Sequence, residues 1–203
     1  MGTVRTHRRA IAGFTLMEMM VVLVIIAIIA AYGIPSYKTA TTQSRMSGEL
    51  AELDSDISLA RSSAIREGIN VTICPSGDPT NANPTCTGSN EWNGGWIVFT
   101  DVAGNQTFET TAGDTLLHIH NVFSSNDTLL SAVAGGTTAL NAFTFNRMGG
   151  VSNSMGSGAD GPNSGELLLN NANGVPGMTR CLIISNAGTI TVNSPQTTTQ
   201  SNC

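Results

Sequence analysis

Gly13-Phe14-Thr15-Leu16-Met17-Glu18, followed by an almost unbroken apolar run to Tyr32, decides how the first part of this chain folds. Phe14 to Tyr32 is 19 residues, and only Thr15 and Glu18 interrupt its apolar character. As a helix rising 1.5 Å per residue the run is about 28 Å long, close to the roughly 30 Å hydrocarbon core of a bilayer. Val21, Val22, Val24, Ile25, Ile26, Ile28 and Ile29 are β-branched and weaken helix propensity in water. In lipid the backbone must satisfy its own hydrogen bonds, so a helix is predicted regardless. Arg5, His7, Arg8 and Arg9 precede the run and a net acidic region follows it, which predicts a cytoplasmic N-terminus. Glu18 stands out: an acid at the centre of a membrane helix costs roughly 2.5–3.5 kcal/mol, and such residues are functional by default.

A secretory signal needs a small-residue cleavage site after its apolar core, and Ala30, Ala31 and Gly33 offer one. An uncleaved single-pass anchor also has the required length and flanks. Neither explains Glu18 or the Gly13-Phe14 junction. A short basic leader ending in Gly13, then Phe14-Thr15-Leu16, then Glu18, resembles the N-terminus of type IV prepilins and type II secretion pseudopilins. The resemblance implies cutting between Gly13 and Phe14 by an inner-membrane prepilin peptidase/N-methyltransferase, with methylation of the new Phe14 amine. It also implies that the Glu18 carboxylate meets the Phe14 amine of a neighbouring subunit, which removes a cost each charge would bear alone.

The chain has 203 residues, of which 40% are hydrophobic and 11% charged, enough for one modest exported domain beside the helix. Removing a leader of residues 1–13 leaves six basic residues against fourteen acidic ones, a net charge of −8. Such a body argues against general phosphate binding. Cys74, Cys86, Cys181 and Cys203 fit neither a zinc pattern nor a CxxC redox motif. Beyond an inner membrane they are expected as two disulfides rather than free buried thiols. Three pairings are open, and the local ones, Cys74–Cys86 and Cys181–Cys203, are expected, each worth about 3 kcal/mol in the loop-entropy model. The second would staple the Thr/Ser/Gln/Asn-rich tail 193–202.

After the span, Gly33 and Pro35 predict a local interruption and a bend. Leu50, Leu53, Ile57, Ala60 and Ala64 then recur at helical spacing, with Glu49, Glu52, Asp54, Asp56, Arg61 and Arg66 largely off that stripe. Gly68 is the expected stop. One bent helix is therefore predicted from Phe14 to about Glu67, its stripe packed on the protein's own sheet. Candidate strands follow at 69–74, 96–101, 116–123, 142–146, 166–169, 181–185 and 189–192. The loops 75–94 and 147–165 are turn-rich and expected to be mobile unless the first disulfide tethers its segment. The expected fold class is α+β: a long N-terminal helix, half transmembrane and half amphipathic, on antiparallel sheets. The expected organisation is a leader (1–13), a transmembrane assembly helix (14–32), its amphipathic continuation (33–68) and a periplasmic β-rich domain (69–203).

Ala64-Ile65-Arg66 leading into Val71-Thr72-Ile73-Cys74-Pro75, and above all Trp92-Asn93-Gly94-Gly95-Trp96-Ile97-Val98-Phe99-Thr100-Asp101, resemble the GspH/FimT family. Phe143-Thr144-Phe145-Asn146 with Gly149, and Cys181-Leu182-Ile183-Ile184 before Gly188, fit the same pattern. Within the motif Trp96, Val98 and Phe99 read as core packing, scaffold rather than site. The resemblance implies a minor pilin or pseudopilin that is pilin-like in fold. Its implied partners are other pilins or pseudopilins, the prepilin peptidase and an inner-membrane assembly platform. DNA-uptake members carry Gly-Arg-x-Arg, whereas the matching positions here are Gly188-Thr189-Ile190-Thr191. Without guanidinium groups that strand cannot neutralise phosphates, so nucleic acid is not an expected partner.

No nucleophile elbow, nucleotide loop or His-Glu-x-x-His suggests catalysis, and no enzymatic activity, cofactor or metal is expected. His118 and His120 share a strand face but lack an evident third ligand, so they read as surface or interface histidines. Asp160 among glycines reads as a turn residue rather than a calcium ligand. The plain membrane anchor and the DNA-binding minor pilin stand as alternatives.

Overall fold

The computed structural model describes residues 13–134, 138–151, 164–172 and 178–193. The leader through residue 12, Asp160, Cys203 and the tail beyond Asn193 lie outside the described residues. The chain divides into two compact units, Met1–Thr41 and Thr42–Cys203. One helix, α1 (Leu16–Glu67), is followed by β1 (Val71–Pro75), β2 (Trp96–Thr100), β3 (Leu116–His120), β4 (Thr128–Val133), β5 (Phe143–Phe145), β6 (Gly165–Asn170), β7 (Arg180–Ile184) and β8 (Ile190–Asn193). The α+β class with a long N-terminal helix on antiparallel sheets is what the sequence predicted.

The helix ends where expected. Gly68 takes φ +72°, a conformation glycine adopts without the steric penalty other residues incur, and its N–H donates to Ala64 O at 3.0 Å. The expected interruption at Gly33 and Pro35 is not a break, because α1 is helical straight through Pro35. Proline removes its own N–H donation and its ring crowds the Ala31 carbonyl, yet the residues on either side stay helical.

The strands form two four-stranded antiparallel sheets, β3-β2-β1-β5 and β4-β6-β7-β8. The stripe on α1 packs as expected: Met46, Leu50, Leu53, Ile57, Ala60 and Ala64 are buried among Val71, Ile73, Trp96, Val98 and Phe143 of the first sheet and Leu167, Leu169 and Leu182 of the second. The other face of the first sheet is covered as well. Cys74, Ile97 and Phe99, with Leu116 and Ile119 of the same sheet, pack there against Cys86 and Phe108. Burial on both sides explains why β1 (VTICP) and β2 (WIVFT) lack the polar alternation of a half-solvated strand.

Two expectations are corrected. Residues 116–123 shorten to β3, because Phe123 N–H turns away to donate to Asn93 O at 3.1 Å. Strand β4 was not expected at all, yet it pairs with β6 over six residues, Thr128↔Asn170 to Val133↔Gly165. Thr-Leu-Leu-Ser-Ala-Val is a mediocre strand former by itself, and its partner provides the ladder.

Candidate functional site

The N-terminal site residues sit at the start of α1. Thr15 caps the helix: its Oγ1 accepts from Glu18 N–H at 3.2 Å, and its carbonyl accepts from Met19 N–H at 3.2 Å. Thr15-x-x-Glu18 is thus a capping sequence as well as part of the processing motif, a signal that reading for the motif alone misses. Glu18 occupies the first turn, where the positive end of the helix dipole favours an anion. Phe14 is 71% exposed, and every large apolar side chain from Leu16 to Tyr32 is exposed. A helix apolar on all sides and uncovered by its own chain needs lipid or other helices around it. Its most apolar 18-residue window has a mean hydropathy of 2.5 with no residue buried.

The first of the two expected disulfides is present. Cys74 and Cys86 form a disulfide that ties the 75–94 segment over the outer face of the first sheet. Thr87 N–H adds a bond to Pro75 O at 2.9 Å. No described cysteine is free, and the expected partner of Cys181, Cys203, lies outside the described residues.

A second constellation lies between α1 and β3. The expectation that the helix charges fall off the packed stripe fails for Asp56 and Glu49, which are 7% and 9% exposed. Asp56 Oδ2 accepts from the Trp96 indole N–H at 2.8 Å, and Oδ1 is 3.4 Å from His118 Nε2. Glu52 Oε2 is 2.8 Å from His120 Nε2, and the His120 ring stacks on Trp96 with centroids 3.7 Å apart. The two histidines therefore face carboxylates four residues apart on the helix. Alternate strand residues lie roughly 6.7 Å apart and four helical residues rise about 6 Å, so the two spacings match. Among the described residues no group of three potential ligands is placed to hold a metal.

Glu49 accepts from Ser125 Oγ at 3.0 Å, and Arg45, next to it, is held by Asp127 at 2.6 Å. Burial pushes the Glu49 carboxyl above its ordinary value, while the Ser125 hydrogen bond and Arg45 pull it partly back. A carboxyl raised on folding adds stability that is fully present below its unfolded value and is lost as pH rises through the folded one. Glu49→Gln is therefore expected to raise Tm at pH 7. That gain should vanish below the ordinary glutamate value of 4.5, as read by thermal melts across pH. A variant that is equally destabilised at both ends would contradict this.

The positions matching a Gly-Arg-x-Arg pattern are structural. Gly188 takes φ +72° against the Gly149 carbonyl, and Arg61 clamps the corner by donating to Gly149 O at 2.9 Å and Ala187 O at 3.0 Å.

Such a chain, with an uncovered apolar helix at one end and antiparallel sheets packed on the rest of that helix, is built as a pilin-type subunit. Residues 8–33 match the prokaryotic N-terminal methylation motif, and residues 49–188 match Type II transport protein GspH. The chain belongs to the GspH family and is a minor pilin or pseudopilin. Two crystal forms of the type IV minor pilin FimU of Pseudomonas aeruginosa are similar to it in structure, both at 19% identity. One gives a TM-score of 0.51 over 79% of this chain and 96% of that one, the other 0.47 over 72% and 94%. At this identity the likeness is one of fold.

Proposed function

We propose that this protein is inserted with its N-terminus in the cytoplasm, cut after Gly13, methylated at Phe14, and assembled through α1 into a periplasmic filament or its tip. In this reading residues 1–13 are the leader, 14–32 the membrane and assembly helix, 33–68 its amphipathic continuation, and 69–203 the periplasmic domain. The prepilin peptidase/N-methyltransferase, other pilins or pseudopilins, and an inner-membrane assembly platform are its partners. Its work is mechanical, and no residue is assigned a catalytic role. The observation that carries the reading is Glu18 in the first turn of a helix whose apolar surface is exposed from Leu16 to Tyr32. The Glu18 carboxylate pairs with the Phe14 amine of an adjoining subunit and sets the axial register of the helices.

Mass analysis of the protein from its own host tests this directly. The expected N-terminus is methylated Phe14; a chain beginning at Met1, or beyond Ala31, would overturn it. Glu18→Val should still enter the membrane, since it removes a charge from the span. Its recovery in sheared filaments should fall about tenfold or more, because the partner amine is left unpaired in apolar surroundings. Normal recovery of that variant would remove Glu18 from the assembly mechanism.

A further inference from the structure

We propose that the groove between α1 and β3 is a docking site for an extended, basic segment of a partner protein, which adds as a strand to β3 and places lysine or arginine side chains against the α1 carboxylates. The groove has a volume of about 800 Å³ and is walled by helix residues 45–56 and by residues 118–124. Four observations carry the proposal.

First, among the described residues β3 is the outer strand of its sheet and pairs only with β2, so its other edge offers backbone donors and acceptors to an incoming chain. Second, the helix wall beside that edge presents Gly48, Ala51 and Ser55, which leave room for a backbone to approach. Third, the charge is acidic. Glu49, Glu52 and Asp56 line the groove, and the arginine among them, Arg45, is bound to Asp127 at 2.6 Å and lies 3.8 Å from Glu49, so acidic charge remains in excess. The Glu52 side chain is 65% exposed and within reach of a ligand. Fourth, Glu49 is held through Oε1 by Ser125 at 3.0 Å, while its buried Oε2 has no hydrogen-bond partner among the described residues. A buried acceptor left without a donor is costly, and a cation brought to the exposed Glu52 beside it would favour the Glu49 charge as well.

The spacing is already suited to a strand. His118 and His120, two apart on β3, meet Asp56 and Glu52, four apart on α1. A strand laid beside β3 repeats that period, so its alternate side chains face the same carboxylate row. The proposal rests on the geometry of this groove and stands apart from the filament function proposed above.

The test uses the full chain in detergent micelles. His118 and His120 line the groove, and His7 is the one other histidine in the sequence, so a His7→Ala variant assigns the ring NMR signals. The probes are the blocked peptide KTKVKT and its charge-reversed counterpart ETEVET. KTKVKT should shift both groove histidines saturably, and ETEVET should not. The paired substitution Glu49→Gln with Glu52→Gln should weaken binding about tenfold or more, as loss of charge-assisted contacts requires. Glu109→Gln, which does not line the groove, should leave it unchanged.

Glutamine keeps the size and hydrogen-bonding capacity of both side chains, so the paired variant is expected to fold. No histidine shift, equal shifts from both peptides, or binding indifferent to the paired variant would overturn the proposal. Histidine signals that change with protein concentration alone would assign the groove to a second copy instead, and that too would overturn it. The N-terminal mass measurement reports on processing independently, so either idea can fail without the other.

Discussion

Trp96→Ala is expected to lower the unfolding free energy by about 5 kcal/mol, the largest single loss predicted for this protein. Removing a buried tryptophan costs about 3–5 kcal/mol in lost transfer energy and cavity formation. Here Trp96 is fully buried, packs edge-on against Phe123 and tilted against Trp92, and carries the stacked His120 ring. Its indole N–H is also a donor to Asp56 Oδ2, and stranding a buried carboxylate adds about 1–3 kcal/mol. Trp96→Phe separates the two contributions, since it keeps most of the ring and loses the donor, and should cost roughly 1–3 kcal/mol. Urea unfolding followed by circular dichroism checks both. If alanine and phenylalanine variants lose the same amount, the hydrogen bond dominates and the packing argument is wrong. The alanine variant should also lose KTKVKT binding, because the wall that holds His120 goes with the ring.

Asp101→Ala is expected to cost about 3–5 kcal/mol, because it strands several neutral donors at roughly 1–3 kcal/mol each, relieved in part where water can reach them. The Asp101 side chain is fully buried and accepts from Thr72 Oγ1 at 2.9 Å, Asn105 N–H at 3.0 Å and Gln106 N–H at 2.9 Å. Thr72 in turn shares a 2.8 Å hydrogen bond with Thr144, to which Gln106 Nε2 donates at 2.9 Å. One carboxylate therefore ties β1, β5 and the loop after β2 together. It also holds Gln106 at φ +59°, a left-handed conformation that costs an ordinary residue about 1–2 kcal/mol. Asp101→Asn keeps one acceptor oxygen but turns an amide toward the donors, so an intermediate loss is expected in the same unfolding assay. A loss below about 1 kcal/mol for alanine would mean that water replaces the carboxylate, and that the turn does not depend on it.

These two residues also show how far the sequence can be read. Both lie in the Trp92–Asp101 block, and the motif marked them as belonging to a family without saying what either touches. Trp96 was legible as core because it sits in an apolar run. That its N–H would meet Asp56 was not legible, since an aspartate beside a helical stripe reads as solvated. Glu49 was misjudged for the same reason: periodicity places a residue on a helix face, but whether the border of that face is covered depends on a loop from elsewhere. Here that loop brings Ser125 and Asp127. The histidine pair was seen to share a face, yet the carboxylates opposite them come from a helix far back in the chain.

By itself the sequence determined the apolar helix and its glycine stop, the packed stripe, seven of the eight described strands and the family. These follow from local composition and short periods, because partition into lipid, helical repeat and turn formation are decided by neighbours in the chain. Only the tertiary structure decided the split into two sheets, the existence of β4, and the burial of β1 and β2 on both faces. It alone also made the acidic groove beside β3. The groove's contacts join residues 40 to 82 positions apart, Trp96 to Asp56, His120 to Glu52, Ser125 to Glu49 and Arg45 to Asp127. Whether such distant groups meet depends on how the whole chain fills its core, and no local pattern encodes that.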